Sequence, residues 1–390
     1  MNSIEKGATI GVIGAGTMGT GIAQVAATNG FNVLIYDEVS SSVKHASEKI
    51  KDELVKLVSK NKITETEANE VTGRIKFINE LRDLSDSSLI IEAIIEDLKV
   101  KQNLFDQLEN IISEKCILAT NTSSLSVASI ASACKNSSRV IGIHFFNPAH
   151  IMPLVEIIPA LTTSEECVKI SRGLIDSWGK TTVLAKDTPG FIVNKVARPF
   201  YGEALRIYDE GIADFATIDW AMKEFGKFRM GPFELMDFIG NDINYIVTAT
   251  VFEQMYYDPR YKPSLTQKRL FDAGLYGRKT GKGYYDYKNK IPEPDKNSKK
   301  GKLIFERILA MLINEAADTL FLKIATKEDI DLAVTKGVNY PKGLLGWADE
   351  SGIKNIVNKL NELQEAYMED RYRICPLLNQ LNKSGKNFFN

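Results

Sequence analysis

A histidine and a glutamate in two neighbouring apolar runs could act together on a proton. Of the three histidines in the chain, His144 lies near the end of the apolar run in VIGIHFFNPAH (140–150), and Glu156 is the single charge in the next run, MPLVEII (152–158). A carboxylate that accepts the Nδ1 proton of an imidazole fixes its tautomer, so that Nε2 can remove a proton from a substrate. Two other interpretations stay open: a core histidine bonded to the backbone, and a glutamate facing solvent on an edge strand.

A glycine-rich turn near the start of the chain is typical of a dinucleotide site. A short apolar run (8–13) leads directly into GAGTMG and then into a helical pattern. The first glycine allows a tight turn, the second lets backbone N–H groups approach a pyrophosphate, and the third lets the helix lie close to the strand. The predicted cofactor contacts in this turn are Gly14, Gly16, Thr17, Met18 and Gly19. An ordinary glycine-rich surface turn is the alternative.

An acidic residue after the second predicted strand (31–36) indicates which dinucleotide binds. Asp37 lies 23 residues beyond Gly14, about where a carboxylate reaches the adenosine ribose hydroxyls. It is followed by Glu38 rather than by an arginine. Because two carboxylates would repel a 2′-phosphate, the sequence predicts NAD rather than NADP.

Polar residues follow two further apolar runs, SLIIEA (88–93) and CILA (116–119), which we predict to be central parallel strands. Glu96 and Lys101 follow the first run, and the stretch NTSS, which begins at Asn121, follows the second. Ligands of such sheets bind at the carboxyl ends of the strands, so we count Asn121 among the cofactor contacts. A solvated loop would also be rich in serine and asparagine.

Length and composition predict a multidomain globular protein with a small-molecule partner. The chain has 390 residues, of which 44% are apolar and 25% charged, and a formal net charge of −1. Without a basic block or a run of 18 apolar residues, we expect neither nucleic acid nor membrane as a partner. The cysteines show no metal-knuckle or disulfide spacing, and they are Cys116, Cys134, Cys167 and Cys375. We therefore expect no metal and a reducing, cytoplasmic location.

The second half of the chain is predicted to be helical and internally duplicated. The segment DTPG, which begins at Asp187, breaks the strand pattern. Shifting the chain by 112 residues superimposes 203–240 on 315–352 with ten of 38 positions identical. The lysine-rich segment between the copies suits a solvated linker, and the second copy is interpreted as lacking the GRKTGKGYY segment that closes the first. The predicted domains are 1–186, 187–288, 303–390 and a linker at 289–302.

A basic turn at 277–283 carries Lys279, which could approach the phosphate oxygens of a nucleotide. We include Lys279 among the candidate cofactor contacts. A plain glycine-rich turn explains the same residues equally well.

Seven motifs, in this order, resemble those of the 3-hydroxyacyl-CoA dehydrogenase family: GVIGAGTMG, IEAIIEDLKVK, ATNTSSLS, HFFNPAHIMPLVEII, DTPGFIVNKV, MGPFELMDFIG and GRKTGKGYYDY. The resemblance covers roughly residues 7 to 288. It implies that His144 is the general base, that Glu156 orients it, and that Ser123 and Asn194 hold the substrate oxygens. It also implies that Glu96, Lys101 and Asn147 contact the dinucleotide, and that single-copy members dimerise through the helical domain.

Together these observations predict an α/β fold with a doubly wound, Rossmann-like, mostly parallel sheet, followed by two all-α helical domains. The expected activity is NAD-dependent oxidation of (3S)-3-hydroxyacyl-CoA, or the reverse reduction, with an acyl-CoA as the partner molecule. One alternative is a non-CoA hydroxy-acid dehydrogenase of the same superfamily, of the sugar acid or carnitine type. Another is a redox-inactive NAD-binding structural or regulatory protein. The two helical copies are expected to form an internal pseudo-dimer, which leaves both a monomer and a homodimer open.

Overall fold

The computed structural model describes residues 3–389. The chain divides into two compact units, residues 1–188 and residues 189–390. The first unit alternates strands and helices, and the second is built from helices. The predicted change from an α/β to an all-helical segment is thus present along the chain.

An eight-stranded sheet forms the first unit. Its strands are β1 (Thr9–Ile13), β2 (Asn32–Tyr36), β3 (Ile75–Ile78), β4 (Leu89–Glu92), β5 (Ile117–Thr120), β6 (Val140–Phe145), β7 (Leu154–Pro159) and β8 (Thr181–Leu184). Its helices are α1 (Thr17–Thr28), α2 (Ser40–Ser59), α3 (Glu65–Gly73), α4 (Leu98–Glu109), α5 (Val127–Ala131) and α6 (Glu165–Ser177). The strand order is β3-β2-β1-β4-β5-β6-β7-β8, in which β6 and β7 pair antiparallel and the other neighbours pair parallel. This topology confirms the predicted fold class.

The middle of the sheet is dry on both faces, which explains why its strands read as continuous apolar runs. Every residue of β4, β5 and β6 is buried. β7 lies between β6 and β8. The interpretation of Glu156 as a solvent-facing residue on an edge strand is therefore wrong.

The second unit contains eleven helices within its described residues, and one long helix runs through it. They are α7 (Val193–Val196), α8 (Arg198–Asp209), α9 (Phe215–Gly226), α10 (Pro232–Ile239), α11 (Asn241–Gln254), α12 (Leu265–Asp272), α13 (Ser298–Phe321), α14 (Lys327–Gly337), α15 (Leu344–Ser351), α16 (Ile353–Tyr367) and α17 (Pro376–Ser384). α13, from the second copy, packs on α8 and α9 of the first copy and on α15, α16 and α17 of its own. Both copies therefore share one compact unit.

The duplication is visible in equivalent hydrogen bonds. Asp219 accepts the N–H groups of Phe233 and Glu234, both at 2.9 Å. In the second copy, 112 positions on, Asp331 accepts those of Leu345 (2.8 Å) and Gly346 (2.9 Å). In each copy the residue that begins the bonded turn is a glycine, because a Cβ there would come within 2.3 Å of the aspartate carboxylate. The two copies therefore share the same aspartate-bonded turn before α10 and α15.

The expectation that the second copy lacks the segment closing the first is wrong for the aromatic end of that segment. Asp237 accepts the N–H groups of Tyr284 and Tyr285, both at 3.0 Å, and Asp349 accepts those of Phe388 (2.8 Å) and Phe389 (2.9 Å). The spacing from aspartate to aromatic pair is 47 residues in the first copy and 39 in the second. An ungapped comparison misses this match because the spacing is eight residues shorter in the second copy.

The linker predicted at 289–302 ends earlier in the structure than expected. α13 begins at Ser298, inside the segment 289–302. Asn297 caps this helix by accepting the Lys300 N–H at 3.0 Å. A Cβ on Gly301 would lie 2.5 Å from the Trp220 ring, so the helix packs tightly at this point. Lysine content alone did not distinguish this first helical turn from solvated chain.

Candidate active site

The predicted histidine and glutamate face each other across two antiparallel strands. His144 on β6 is in register with Glu156 on β7, and the imidazole Nδ1 lies 2.7 Å from the carboxylate Oε2. Glu156 is completely buried, and His144 is 5% exposed. The Phe146 ring packs at 4.6 Å from the imidazole. A buried carboxylate at Nδ1 favours the tautomer in which Nε2 is the basic nitrogen, and it stabilises the imidazolium formed when Nε2 takes a proton.

One carboxylate oxygen organises the loop that carries Ser123. Oε1 of Glu96 accepts hydrogen bonds from the Thr122 hydroxyl (2.6 Å), from the Ser123 N–H (2.9 Å) and from the N–H and hydroxyl of Ser124 (3.1 and 2.9 Å). Burial by itself would raise the pKa of Glu96, but the Lys101 ammonium and these hydrogen bonds outweigh it and lower the pKa. Glu96 therefore remains ionised and holds Ser123 in place.

Lys101 links Glu96 to a residue that sequence reasoning missed. Its ammonium lies 3.3 Å from Glu96 Oε2 and also bonds Glu92, the last residue of β4. Glu92 is completely buried, and its second oxygen accepts the Thr120 hydroxyl at 2.7 Å. Lys101 is only 1% exposed, so in this structure it is held by two carboxylates beneath the loop. The signal available in the sequence was an acidic residue ending an otherwise apolar strand.

The glycine turn has the geometry that a bound pyrophosphate requires. Gly14 has φ of +102°, and a Cβ there would lie 2.5 Å from the Ala93 carbonyl oxygen. A Cβ on Gly19 would lie 1.8 Å from the Gly14 carbonyl oxygen. Gly16 is exposed at the start of α1, where no side chain of the described residues caps the helix. The first turn of α1 thus presents N–H groups to an anion, and an ordinary surface turn would not need these close approaches.

Three other residues predicted to contact the cofactor lie in or beside the glycine turn. Thr17 is exposed and Met18 half-buried. The Asp37 carboxylate accepts the Ala15 N–H at 2.6 Å and the Val39 N–H at 2.8 Å. Asp37 therefore lies beside the glycine turn at the carboxyl end of β2, and each of its oxygens keeps further lone pairs for ribose hydroxyls.

The end of β6 is tied to its neighbours by polar contacts. Asn121 Oδ1 accepts the Phe145 N–H at 2.8 Å, which joins the ends of β5 and β6. Asn147 is exposed in the turn after β6. The Lys180 ammonium donates to the carbonyls of Ala149 (2.6 Å) and Met152 (2.9 Å) and closes this turn, and burial lowers its pKa to about 8. Asn121 therefore has a structural role in the sheet, in addition to the cofactor contact predicted for it.

Two predicted site residues belong to the second unit. Asn194 lies in α7. Residues 191–200 are all described, and Asn194 is the one among them that is partly exposed. The Lys279 ammonium donates to Asp242 Oδ2 at 2.6 Å within its own unit. A phosphate at Lys279 would therefore have to compete with this carboxylate.

Clustered metal-ligating side chains and long apolar helices are both absent from the described residues. Within residues 3–389, no group of three or more His, Cys, Asp or Glu side chains is placed to hold a metal ion. No helix in that range is long and apolar enough to cross a membrane. All four cysteines are buried, and burial raises the pKa of Cys116, Cys134 and Cys167 to about 12.

The doubly wound sheet, the glycine turn and the acid beside it define an NAD-binding oxidoreductase. Residues 9–188 match the family model "3-hydroxyacyl-CoA dehydrogenase, NAD binding domain", and residues 190–287 and 303–387 both match the "3-hydroxyacyl-CoA dehydrogenase, C-terminal domain". The chain belongs to the 3-hydroxyacyl-CoA dehydrogenase family. The two matches to one C-terminal model confirm the duplication.

Relatives of two lengths share this family. The chain is 35% identical to the "3-hydroxyadipyl-CoA dehydrogenase" of Escherichia coli (strain K12), over 95% of this chain and 97% of that protein. It is 40% identical to the "Probable 3-hydroxybutyryl-CoA dehydrogenase" of Deinococcus radiodurans, over 71% of this chain and 99% of that shorter protein. The crystal structure of 3-hydroxybutyryl-CoA dehydrogenase from Escherichia coli K12 is similar to the structure of this chain, with a TM-score of 0.92. The two sequences are 34% identical, and the match covers 98% of this chain and all of that one. The family thus includes shorter relatives that align with only part of this chain.

Proposed function

We propose that this NAD-dependent dehydrogenase oxidises (3S)-3-hydroxyacyl-CoA to 3-oxoacyl-CoA, or catalyses the reverse reduction, with His144 as general base. The observation that carries the proposal is the buried contact of 2.7 Å between His144 Nδ1 and Glu156 Oε2. Oxidation of a secondary alcohol requires a base for the hydroxyl proton while hydride leaves the same carbon. Bound NAD supplies the hydride acceptor, and Gly14, Gly16 and Gly19 fit its pyrophosphate.

Each protein group then has a distinct role. His144 takes the hydroxyl proton at Nε2, and the Glu156 carboxylate stabilises the resulting imidazolium. Ser123, held through Glu96, donates to the substrate oxygen as charge develops on it. Asn194 holds a substrate oxygen through its amide without ionising. None of these steps requires a metal ion.

An NADH absorbance assay with acetoacetyl-CoA tests the proposed activity. The purified protein is expected to oxidise NADH only when the acyl-CoA is present. The second substrate to assay is 3-oxoadipyl-CoA, the oxidised form of the 3-hydroxyadipyl-CoA that appears in the name of one relative. Turnover of a sugar acid or of carnitine, without turnover of either thioester, would instead favour the non-CoA alternative. NADH binding with no turnover on any of these substrates would contradict a catalytic role.

Replacing Glu156 with glutamine is expected to lower turnover, but by less than the roughly 10²- to 10⁴-fold loss expected when the histidine base is removed. The amide keeps the size of the side chain but cannot stabilise an imidazolium, and its N–H can bond the wrong tautomer. Turnover and its pH profile are the measurements, with NADH affinity as the control for an intact nucleotide site. An unchanged turnover together with an unchanged pH profile would refute the role of Glu156.

Replacing Asp37 with alanine is expected to raise the KM for NAD by about 10- to 100-fold, because a charged acceptor for ribose hydroxyls is lost. The KM for NADP should rise less, because the same change removes repulsion of the 2′-phosphate. Loss of the contacts from Asp37 to Ala15 and Val39 affects both cofactors, so the ratio of the two KM values is the measurement. A wild-type protein that already prefers NADPH would contradict the prediction.

A further inference from the structure

Two buried ion pairs join the helical copies in a reciprocal way. Lys195 of the first copy donates to Glu315 of the second, and Arg307 of the second copy donates to Glu203 of the first. Lys195 and Arg307 are 112 positions apart, as are Glu203 and Glu315, so each cation pairs with the glutamate of the other copy. This is the pattern that a two-fold axis would produce between identical subunits.

The two pairs also have equivalent surroundings. The Tyr261 hydroxyl donates to Glu315, and the Tyr372 hydroxyl donates to Glu203. Glu203 is 2% exposed and Glu315 is 1% exposed. The two glutamates are therefore matched in burial and in the kinds of donor that they accept.

The neighbours of the two cations break this equivalence. Asn194, the proposed substrate contact, directly precedes Lys195 in α7, whereas the corresponding neighbour of Arg307 is Glu306. The proposed function assigns a role to the first neighbour and none to the second. Only one of the two ion pairs therefore adjoins a proposed substrate residue.

The turn that carries Asn194 depends on contacts from outside itself. α7 has only four residues, and the chain enters it through Gly190 and Phe191, both with positive φ (+75° and +48°). A helix of one turn has little stability of its own. The Lys195 ammonium is completely buried and donates to three acceptors on α13, namely Glu315, Asp318 (3.1 Å) and Thr319 (3.2 Å).

We propose that Glu315 of the second copy is a positioning residue for the reaction, which acts through Lys195 on the direction of the Asn194 side chain. Adjacent residues on a helix point about 100° apart, so anchoring Lys195 on α13 fixes the rotation of the turn and hence the face that presents Asn194. The second copy thus contributes to substrate binding without touching substrate. This inference rests on the proposed function, because it presupposes that Asn194 holds the substrate.

The matched variants Glu315→Gln and Glu203→Gln test the proposal in the full-length protein. Both remove one buried charge of an equivalent pair, so both should lower the melting temperature. Glu315→Gln is expected to lower kcat/KM for acetoacetyl-CoA by about 10-fold or more, since small misplacements of a substrate contact reduce rate steeply. Glu203→Gln should stay within about threefold of wild type, and NADH affinity should be unchanged in both. Equal losses of kcat/KM in the two variants would overturn the proposal.

A double variant separates this inference from the proposed function. Adding Glu315→Gln to Asn194→Ala should cause no further loss of kcat/KM, because Glu315 acts through the amide that is already gone. An additive loss would overturn the positioning role while leaving the function intact. If Asn194→Ala alone keeps wild-type kcat/KM, the proposed role of Asn194 is what fails.

A charge-conserving pair of variants covers the case in which the glutamine variants do not fold. Lys195→Arg keeps the charge but changes the donor geometry, and Arg307→Lys makes the opposite change in the equivalent pair. Lys195→Arg should lower kcat/KM for acetoacetyl-CoA about 10-fold, and Arg307→Lys should leave it within about threefold of wild type. The absence of this difference in two folded variants would also overturn the proposal.

Discussion

Replacing His144 with glutamine or alanine is expected to lower turnover of acetoacetyl-CoA by about 10²- to 10⁴-fold, the range that a general base contributes. The imidazole acts on the proton only during its transfer, so removal of the imidazole should leave ground-state binding of NADH nearly unchanged. With alanine, the buried Glu156 carboxylate would lose its contact of 2.7 Å with His144, which adds a cost in stability. Glutamine is the more informative replacement because its amide can still donate to that carboxylate.

Steady-state kinetics with acetoacetyl-CoA and titration of NADH fluorescence measure the two effects separately. His45→Gln is the matched control, since His45 is exposed on α2 and bonds only a helix carbonyl, that of Ser41, at 2.7 Å among the described residues. That control should keep wild-type turnover. Near-normal turnover in a folded His144→Ala protein would refute the assignment of the base.

Ending the chain at residue 297, just before α13, is expected to give an aggregating protein or a new homodimer. We propose that the second copy takes the place of a partner subunit, because its buried contacts with the first copy are reciprocal. Truncation would expose the apolar faces of α8 and α9 that pack on α13, and it would leave Lys195 and Tyr261 without Glu315. Exposed surface of this kind associates or aggregates.

Light scattering on the full-length and truncated proteins measures the effect. The shorter relative from Deinococcus radiodurans aligns over 99% of its length with 71% of this chain, so a protein of about this length does occur in the family. Every proposed catalytic residue remains in the truncated chain. Because a second subunit would restore the lost packing, any activity is expected in the dimer fraction. A truncated protein that stays monomeric, equally stable and fully active would contradict the packing role.

Residue types and local spacing were sufficient to predict the nucleotide turn and the contact between His144 and Glu156. The glycines at 14, 16 and 19 fix a strand–turn–helix within a few residues, so no distant contact is needed to recognise it. His144 and Glu156 could be paired because a short connection between two apolar runs brings strands side by side. The helical duplication was readable because glycine and aspartate recur at one constant shift.

Tertiary structure decided the contacts that join residues far apart in the chain. The bond of Glu96 to Ser123 spans 27 residues, and those of Lys195 to Glu315 and Arg307 to Glu203 span 120 and 104. Charged residues such as Glu203, Lys195 and Glu315 are most often solvated, so a sequence pattern assigns them to the surface. They lie in the interior here because each is paired with a group of opposite charge. Only the packing of α13 against the first copy brings these groups within hydrogen-bonding distance.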